Sequence, residues 1–521
     1  AHPAGTYPDV HNEIEKLLKS GQLLINYTGH GSTTHWADES VWTQTDINNS
    51  SYKHLPVWVT ATCDFTRFDD LNTSAGEDVF LNKSSGGIAL FTTVRVAYSR
   101  PNFPINDNVI RNLFERNNGR RRTLGEVMQA TKNTLSSVYK LGFCLIGDPA
   151  VKIAYPEFGM KVTTVNGQSV DGNSISFKAL EKITVEGEVL DASGQLVTDF
   201  TGIVNPTVKD SKVTVTCLKN SNKDDSPAFT FTDYPNTIFI GNDSVRNGKF
   251  SFTFTVPKDI SYSNLQGKMN LYAVDTESGN EAQGNFDNFI VGGTSDTAET
   301  DTIGPEIRAL YLNDTTFVDG GQVNTTPYFV AELWDKSGVN ITGSSVGHDM
   351  MLVIDESTVL SYNLNSYYEL LPGEDGTGIV KFPIPALEPG KHTAEFWVWD
   401  ILNNSTVRTF TFEVVEGLKP FLFDVIATPG IAREQVTFHL MHNRPESRMR
   451  VGIMVYDLAG RQLWKHEESG TSGLFENYTV SWDLTSGGAR MRPGVYIYRA
   501  AISTDNSKDA TKARKFIILG E

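Results

Sequence analysis

The sequence predicts a multidomain chain: an α/β domain with a mostly parallel sheet, followed by all-β sandwiches. Three observations carry this. Over residues 1–156, short continuous apolar runs alternate with helical stripes, the pattern of strands buried on both faces. From about 157 the texture changes to short alternating segments separated by turn residues, as in β-sandwiches. The chain has 521 residues, room for roughly three or four domains of ordinary size.

In the first region Val10, Ile14, Leu17 and Leu18 form a helical stripe, and Gly21 is a natural stop. Leu23 to Tyr27 reads as a buried strand, Val57 to Thr62 as a second, and GIALFTTV (87–94) as a third. Val109, Leu113 and Phe114 indicate a helix, and so does Leu124 to Lys132 with Thr123 as its cap. Phe143 to Ile146 closes the region as a last strand. Beyond it, KITVEGEVLD (182–191), KVTVTCL (212–218) and FSFTFTVP (250–257) alternate at period two. The run GGTSDTAETDTIGP (292–305) reads as a linker. YFVAELWD and HTAEFWVWD belong to a further β-unit. QVTFHLMH, RVGIMVYDL, YTVSWDL, GVYIYRAAI and KARKFIIL belong to a last one. The expected domains are 1–156, 157–300, 301–417 and 418–521.

The net charge of −17 argues against nucleic acid as a partner. By count, residues 1–156 hold 15 basic and 15 acidic residues and 418–521 hold 14 and 11. The middle therefore has 16 against 36, a net of −20. Such a middle is ordinarily a solvated surface, and its carboxylates also suit a structural Ca²⁺. No apolar run reaches the length of a membrane-spanning helix. The chain opens AHPAGTYPDV, without Met, a basic start or an apolar signal core, and reads as an internal piece of a longer precursor.

Three cysteines, Cys63, Cys144 and Cys217, lie far apart and form neither a disulfide framework nor a zinc spacing. Cys144 and Cys217 read as core residues. Cys63 follows a strand and enters a polar run, TATCDFTRFDD (60–70). His30 follows another strand, between two glycines in YTGHGS (27–32). A lone loop histidine is ordinarily solvated, and flanking glycines ordinarily mark a tight turn. Together, however, His30 and Cys63 occupy the strand ends at which open α/β sheets bind ligands. A thiol needs a nearby base to become a thiolate, and imidazole is the usual one. The amides of Gly31 and Cys63 are placed to hold an oxyanion. His35 and His54 read as structural alternatives to His30, and a zinc site from His30, His35 and Cys63 lacks a supporting spacing. Asp64 could select a basic substrate residue, and Arg67 or Arg95 an anionic one. The ordinary reading of all three is a solvated loop.

These motifs resemble the gingipain family of cysteine peptidases, relatives of the caspases. YTGHGS, WADE (36–39), TATCDFTRFDD and LIGDPAVKI (145–153) carry the resemblance in the first region. With SAGEDVFL (74–81) and GGIALFTTVRVAYS (86–99), these runs are closer to the sortases of type IX secretion than to the secreted gingipains. So are GPEIRALYLND (304–314), VGHDMMLVID (346–355), LNSYYEL (364–370) and GKHTAEFWVWDILNNS (390–405). ATPGIAREQVTFHL (427–440), VYDLAGRQLW (455–464) and RPGVYIYRA (492–500) resemble a type IX C-terminal domain, with Thr428-Pro429 where many have Asn-Pro.

The resemblance implies the C-terminal part of a caspase-like catalytic domain, Ig-like sandwiches and a type IX C-terminal domain. It makes His30 the catalytic histidine and Cys63 the nucleophile. Its enzyme removes the signal domain of type IX cargo and joins the cargo to anionic lipopolysaccharide, without a cofactor. It implies a location at the cell surface, peripheral to the bacterial outer membrane, with an outer-membrane β-barrel docking the last domain. The acidic residue that orients the histidine, and the first strands of the sheet, are expected upstream, so this piece alone is not expected to be active. A secreted protease acting by hydrolysis, and a non-catalytic surface scaffold or adhesin, are the competing expectations.

Overall fold

The computed structural model describes residues 7–83, 85–117, 119–218, 227–295, 301–343, 347–371, 376–504 and 506–519. Part of the expected linker, 296–300, lies outside them, as does Val346 of VGHDMMLVID. The chain is mostly β and divides into two compact units. The first comprises 1–158, 191–195 and 216–229, and the second holds the rest.

In the first unit α1 (Pro8–Ser20) leads into β1 (Leu24–Thr28), and Gly21 ends the helix at φ 89°, in the left-handed region that glycine enters without a Cβ clash. Next come β2 (His35–Trp36), β3 (Trp42–Thr43), α2 (Gln44–Asn49), β4 (Val57–Ala61), α3 (Ala75–Leu81) and β5 (Ala89–Thr93). The last elements are α4 (Ser99–Phe114), α5 (Leu124–Asn133) and β6 (Phe143–Gly147). The main sheet has the order β1-β4-β5-β6. β1, β4 and β5 are parallel, while β6 runs antiparallel to β5. All five residues of β4 and of β5 are buried, which explains their unbroken apolar character. Val59, Phe91, Val109, Leu113, Leu124 and Val127 pack on one side of the sheet, and Trp36, Trp58, Phe65, Val79 and Leu90 on the other.

Several expectations change. α1 buries only Leu18 fully, while Val10 and Leu17 are each 45% exposed. α2 and α3 were not expected: each has one turn or two of helix, too little for an apolar period to show. Capping boxes, Thr43 with Asp46 and Ser74 with Glu77, hold their starts. α4 begins ten residues before the apolar positions that announced it. Cys144 is only half-buried, because β6 faces the core through Phe143 and leaves its other residues partly open. Cys217 is exposed, just past a strand (Val213–Thr216) whose alternating residues are exposed or half-exposed rather than core.

The second unit is antiparallel β throughout most of its length. Strands between Phe158 and Phe286 form a nine-stranded sheet. Between Glu306 and Val414, a four-stranded and a five-stranded sheet enclose Phe329, Leu352, Phe396 and Phe412. The longest hairpin pairs Gly390–Trp399 with Ser405–Val414. Between Leu422 and Ile518, sheets of three and five strands enclose Phe438, Ile453, Trp482 and Tyr498. Among the described residues no helix is long and apolar enough to cross a membrane.

Candidate active site at the strand ends

β1 and β4 pair in register from Leu24↔Val57 to Thr28↔Ala61. His30 and Cys63 each stand two residues beyond that last pair, so the parallel ladder delivers both side chains to the same edge. The Gly29 amide donates to the Ala61 carbonyl at 3.4 Å and carries the ladder one step further. Gly31 then presses against the residue before Cys63: a Cβ there would lie 2.3 Å from Thr62 Oγ1. A Cβ on Gly29 would meet the Tyr27 hydroxyl at 2.7 Å. Neither glycine has a positive φ. Close approach, rather than a tight turn, is what requires them.

The loop around His30 is held from below. The Tyr27 hydroxyl donates to the His30 carbonyl at 2.6 Å, and its ring stacks on Trp36 at 4.5 Å. Burial pushes the Tyr27 phenol pKa up, which keeps it a donor. Trp36 is 2% exposed and packs against Trp58 and Phe65. The Ala37 amide also donates to the His30 carbonyl, at 2.8 Å. The His30 ring itself is exposed and makes no hydrogen bond among the described residues. His35 bonds through Nδ1 to the hydroxyls of Ser32 and Thr34, each at 3.0 Å, and so braces the loop. His54 is exposed and lies beside Gly21, at the opposite end of the strand.

Cys63 is half-buried. Its thiol donates to the Ala97 carbonyl at 3.2 Å and accepts from the Ala97 amide at 3.4 Å. The Thr93 hydroxyl donates to the Thr62 carbonyl, and Thr60, Thr66 and Thr92 form a buried hydroxyl chain behind it. This fixes the turn that carries the thiol. Asp64 follows at φ 50°, with its amide donating to the Arg95 carbonyl. The amides of Gly31 and Cys63 donate to no protein acceptor among the described residues.

The neighbouring charges are largely engaged with each other. Arg95 grips Asp69 with two bonds of 2.6 and 3.0 Å, which hold the Asp69 carboxyl below the usual range. Arg67 faces Asp70 at 3.6 Å. Only Asp64 turns inward, where its Oδ1 is buried without a partner. His30, His35 and Cys63 do not converge as metal ligands. Among the described residues the one convergent group of that kind is Asp301, Asp335 and Asp400 in the second unit, with oxygens within 4.8 Å of one another. Asp400 is fully buried and Asp335 nearly so; desolvation raises both carboxyl pKa values, and mutual repulsion adds to it. An all-oxygen set of this kind is the donor chemistry that Ca²⁺ takes.

Two polar residues at the sheet edge escaped the sequence reading. Asn102 and Asn106 stand one turn apart on α4. The Asn106 amide nitrogen donates to Thr28 Oγ1 at 2.7 Å, two residues before His30. Asn102 lines a small cleft with Thr93, Arg95, Ala97, Tyr98 and Tyr139. No spacing in the sequence marked them, because the first half of α4 has no apolar period.

Residues 2–154 match the model of peptidase family C25. The chain is 37% identical to dimeric latent PorU from Porphyromonas gingivalis, over 79% of this chain and 39% of that one, with a TM-score of 0.34. It is 19% identical to the Arg-specific cysteine proteinase gingipain R (RgpB), over 54% and 55% of the two chains, with a TM-score of 0.27. It is 20% identical to the complex of Porphyromonas gingivalis RgpB pro- and mature domains, over 54% and 57%, with a TM-score of 0.26. No curated protein matches it. The chain thus spans well under half the length of the PorU chain. Residues 2–154 therefore match the gingipain peptidases of family C25, and the chain is similar in sequence to PorU.

Proposed function

We propose that this chain carries the catalytic pair of a cell-surface cysteine endopeptidase and transpeptidase. It removes the C-terminal signal domain of type IX cargo and joins the cargo to an amine of anionic lipopolysaccharide. One observation supports this reading most: His30 and Cys63 each lie two residues past the register pair Thr28↔Ala61, on one sheet edge. In this reading residues 1–156 are part of a caspase-like catalytic domain, and the sandwiches that follow are Ig-like. Residues 418–521 dock on an outer-membrane β-barrel, which keeps the enzyme peripheral to the outer membrane.

The chemistry is acyl transfer. His30 takes the thiol proton of Cys63, releasing it from the Ala97 carbonyl. The thiolate attacks the scissile carbonyl carbon, and the free amides of Gly31 and Cys63 receive the oxyanion. As the C–N bond breaks, His30 protonates the leaving amine, and the cargo remains as a Cys63 thioester. An incoming amine then attacks the thioester, His30 takes its proton, and the C–S bond breaks with return of the proton to sulfur. Water in place of the amine yields a free carboxylate, the outcome for a plain gingipain-like protease. Each step is complete without a cofactor.

The test incubates the full-length protein with a cargo carrying a type IX signal domain and an excess of a small amine. Mass spectrometry reads the new C-terminus, with Cys63→Ala as control. The expected product carries the amine and disappears in the variant. A free carboxylate alone reduces the activity to hydrolysis. Cleavage that survives Cys63→Ala removes the dyad assignment, whereas no cleavage by the wild type leaves the surface-scaffold reading standing.

A further inference from the structure

The two amides assigned to the oxyanion belong to peptide groups whose carbonyls are each held by a side-chain hydroxyl. The Gly31 amide shares its peptide with the His30 carbonyl, and the Cys63 amide shares its peptide with the Thr62 carbonyl. A trans peptide group is planar, and its C=O and N–H point in opposite directions. Whatever fixes the carbonyl therefore aims the amide.

On the His30 carbonyl the Tyr27 hydroxyl donates at 2.6 Å and the Ala37 amide at 2.8 Å. Both lone pairs of that oxygen are thereby engaged. Gly29 gives the hydroxyl room to reach over, since a Cβ there would lie 2.7 Å from it. The Tyr27 ring is anchored in turn by stacking on Trp36, with 9° between the planes. On the Thr62 carbonyl the donor is the Thr93 hydroxyl, at 2.5 Å. The β4–β5 ladder ends at Thr60↔Thr92. Beyond it the Thr93 side chain supplies the bond that backbone pairing no longer does. Thr93 is 3% exposed, so water does not compete for that oxygen. A hydrogen bond accepted by a carbonyl polarises its own peptide group and strengthens the bond made by the N–H, by about 10–30%. Neither hydroxyl meets the reacting atoms; each acts through an amide that does.

Building on the peptidase reading above, we infer that Tyr27 and Thr93 are positioning residues of the oxyanion site. Their hydroxyls orient and polarise the amides of Gly31 and Cys63, and they lower the barrier to acyl transfer without taking part in the proton transfer between Cys63 and His30.

The test compares full-length wild type with Tyr27→Phe and Thr93→Val, which each remove a hydroxyl and keep the ring or the branched shape. Two reactions are read on each protein. Cleavage of cargo carrying a type IX signal domain develops an oxyanion. Alkylation of Cys63 by iodoacetamide needs the thiolate but develops none. Each variant should lose about tenfold in kcat with KM unchanged, part of the roughly 10²–10³-fold that deleting an oxyanion donor costs. The alkylation rate and its pH profile should stay within about twofold of wild type. Thr93→Ser, which restores a hydroxyl, should recover most of the kcat. Because Thr93 is buried, Tyr27→Phe at a half-buried position keeps the test open should Thr93→Val not fold. An unchanged kcat in either variant overturns the assignment of that hydroxyl. Alkylation that falls in step with kcat also overturns it, because the hydroxyl then serves the thiol and imidazole instead. Absence of cleavage by the wild type, or cleavage that persists in Cys63→Ala, overturns the peptidase reading and the oxyanion site with it.

Discussion

Gly31 works by what it lacks. Its α-carbon sits so close to Thr62 that a methyl group would fall 2.3 Å from the threonine hydroxyl, well inside van der Waals contact. The loop bearing His30 and the turn bearing Cys63 can therefore touch. Gly31→Ala must push the two apart, and displacement of about 1 Å at a catalytic pair costs roughly 10²-fold in rate. The expected outcome is a fall in kcat/KM of about that size. A thermal midpoint should show a smaller penalty, about 1–3 kcal/mol, typical of overpacking. Unchanged kcat/KM in a folded Gly31→Ala protein would mean that the two loops do not act together. The same scale explains what was legible here. GHG and a cysteine after a strand were visible as residue types; the reason for the glycines was not, because it lies 31 residues away in Thr62.

At the scale of elements, hydrophobic period and capping chemistry announced most strands and the helix α5, where Thr123 and Glu126 form the capping box. They failed for α4, whose first half presents asparagines rather than an apolar stripe and which contains Pro104. The strand Val436–His442 provides an element-level test. His442 at its end accepts from the Arg444 amide through Nδ1 and bonds Ser472 through Nε2. Burial, with Arg444 adding repulsion, lowers its pKa to about 4 from 6.5. A histidine depressed in the folded state supports stability above pH 6.5 and withdraws that support as pH falls from 6.5 to about 4. Amide protection factors along 436–442 in the whole protein, corrected for intrinsic exchange, should fall over that window, with a slope of up to about 1.4 kcal/mol per pH unit. His442→Gln should flatten the slope; an unaltered slope in that variant would assign it to another group.

At the scale of the whole molecule, the second unit is joined by polar contacts that no single domain contains. Asp259 accepts from His348 or pairs with it at 2.6 Å, and it accepts from Asn403 at 2.9 Å. The Lys258 amide donates to the Ile401 carbonyl at 2.9 Å beside them. Asp259 lies before the expected boundary at 300, and its partners lie after it. Asp259→Ala leaves these donors without an acceptor, a loss of about 1–3 kcal/mol. Calorimetry of the full chain should then show an earlier or split transition for this unit. A single unshifted transition would mean that the junction contributes nothing to cooperativity.

The sequence by itself determined the class of each region. Continuous apolar strands imply a sheet covered on both faces, alternating strands imply sandwiches, and the GHG and Cys positions follow strand ends. These are local properties, set by the side-chain period and by turn chemistry within a few residues. Tertiary structure decided what local signals cannot encode. Parallel register placed His30 opposite Cys63, and β6 turned antiparallel. Arg95 was taken by Asp69, 26 residues away, rather than left free to bind an anion. Asn102 was carried to a cleft beside a thiol 39 residues earlier in the chain. Each of these depends on which strand or helix packs beside which, and pairing across the chain leaves no periodic trace in the residues that pair.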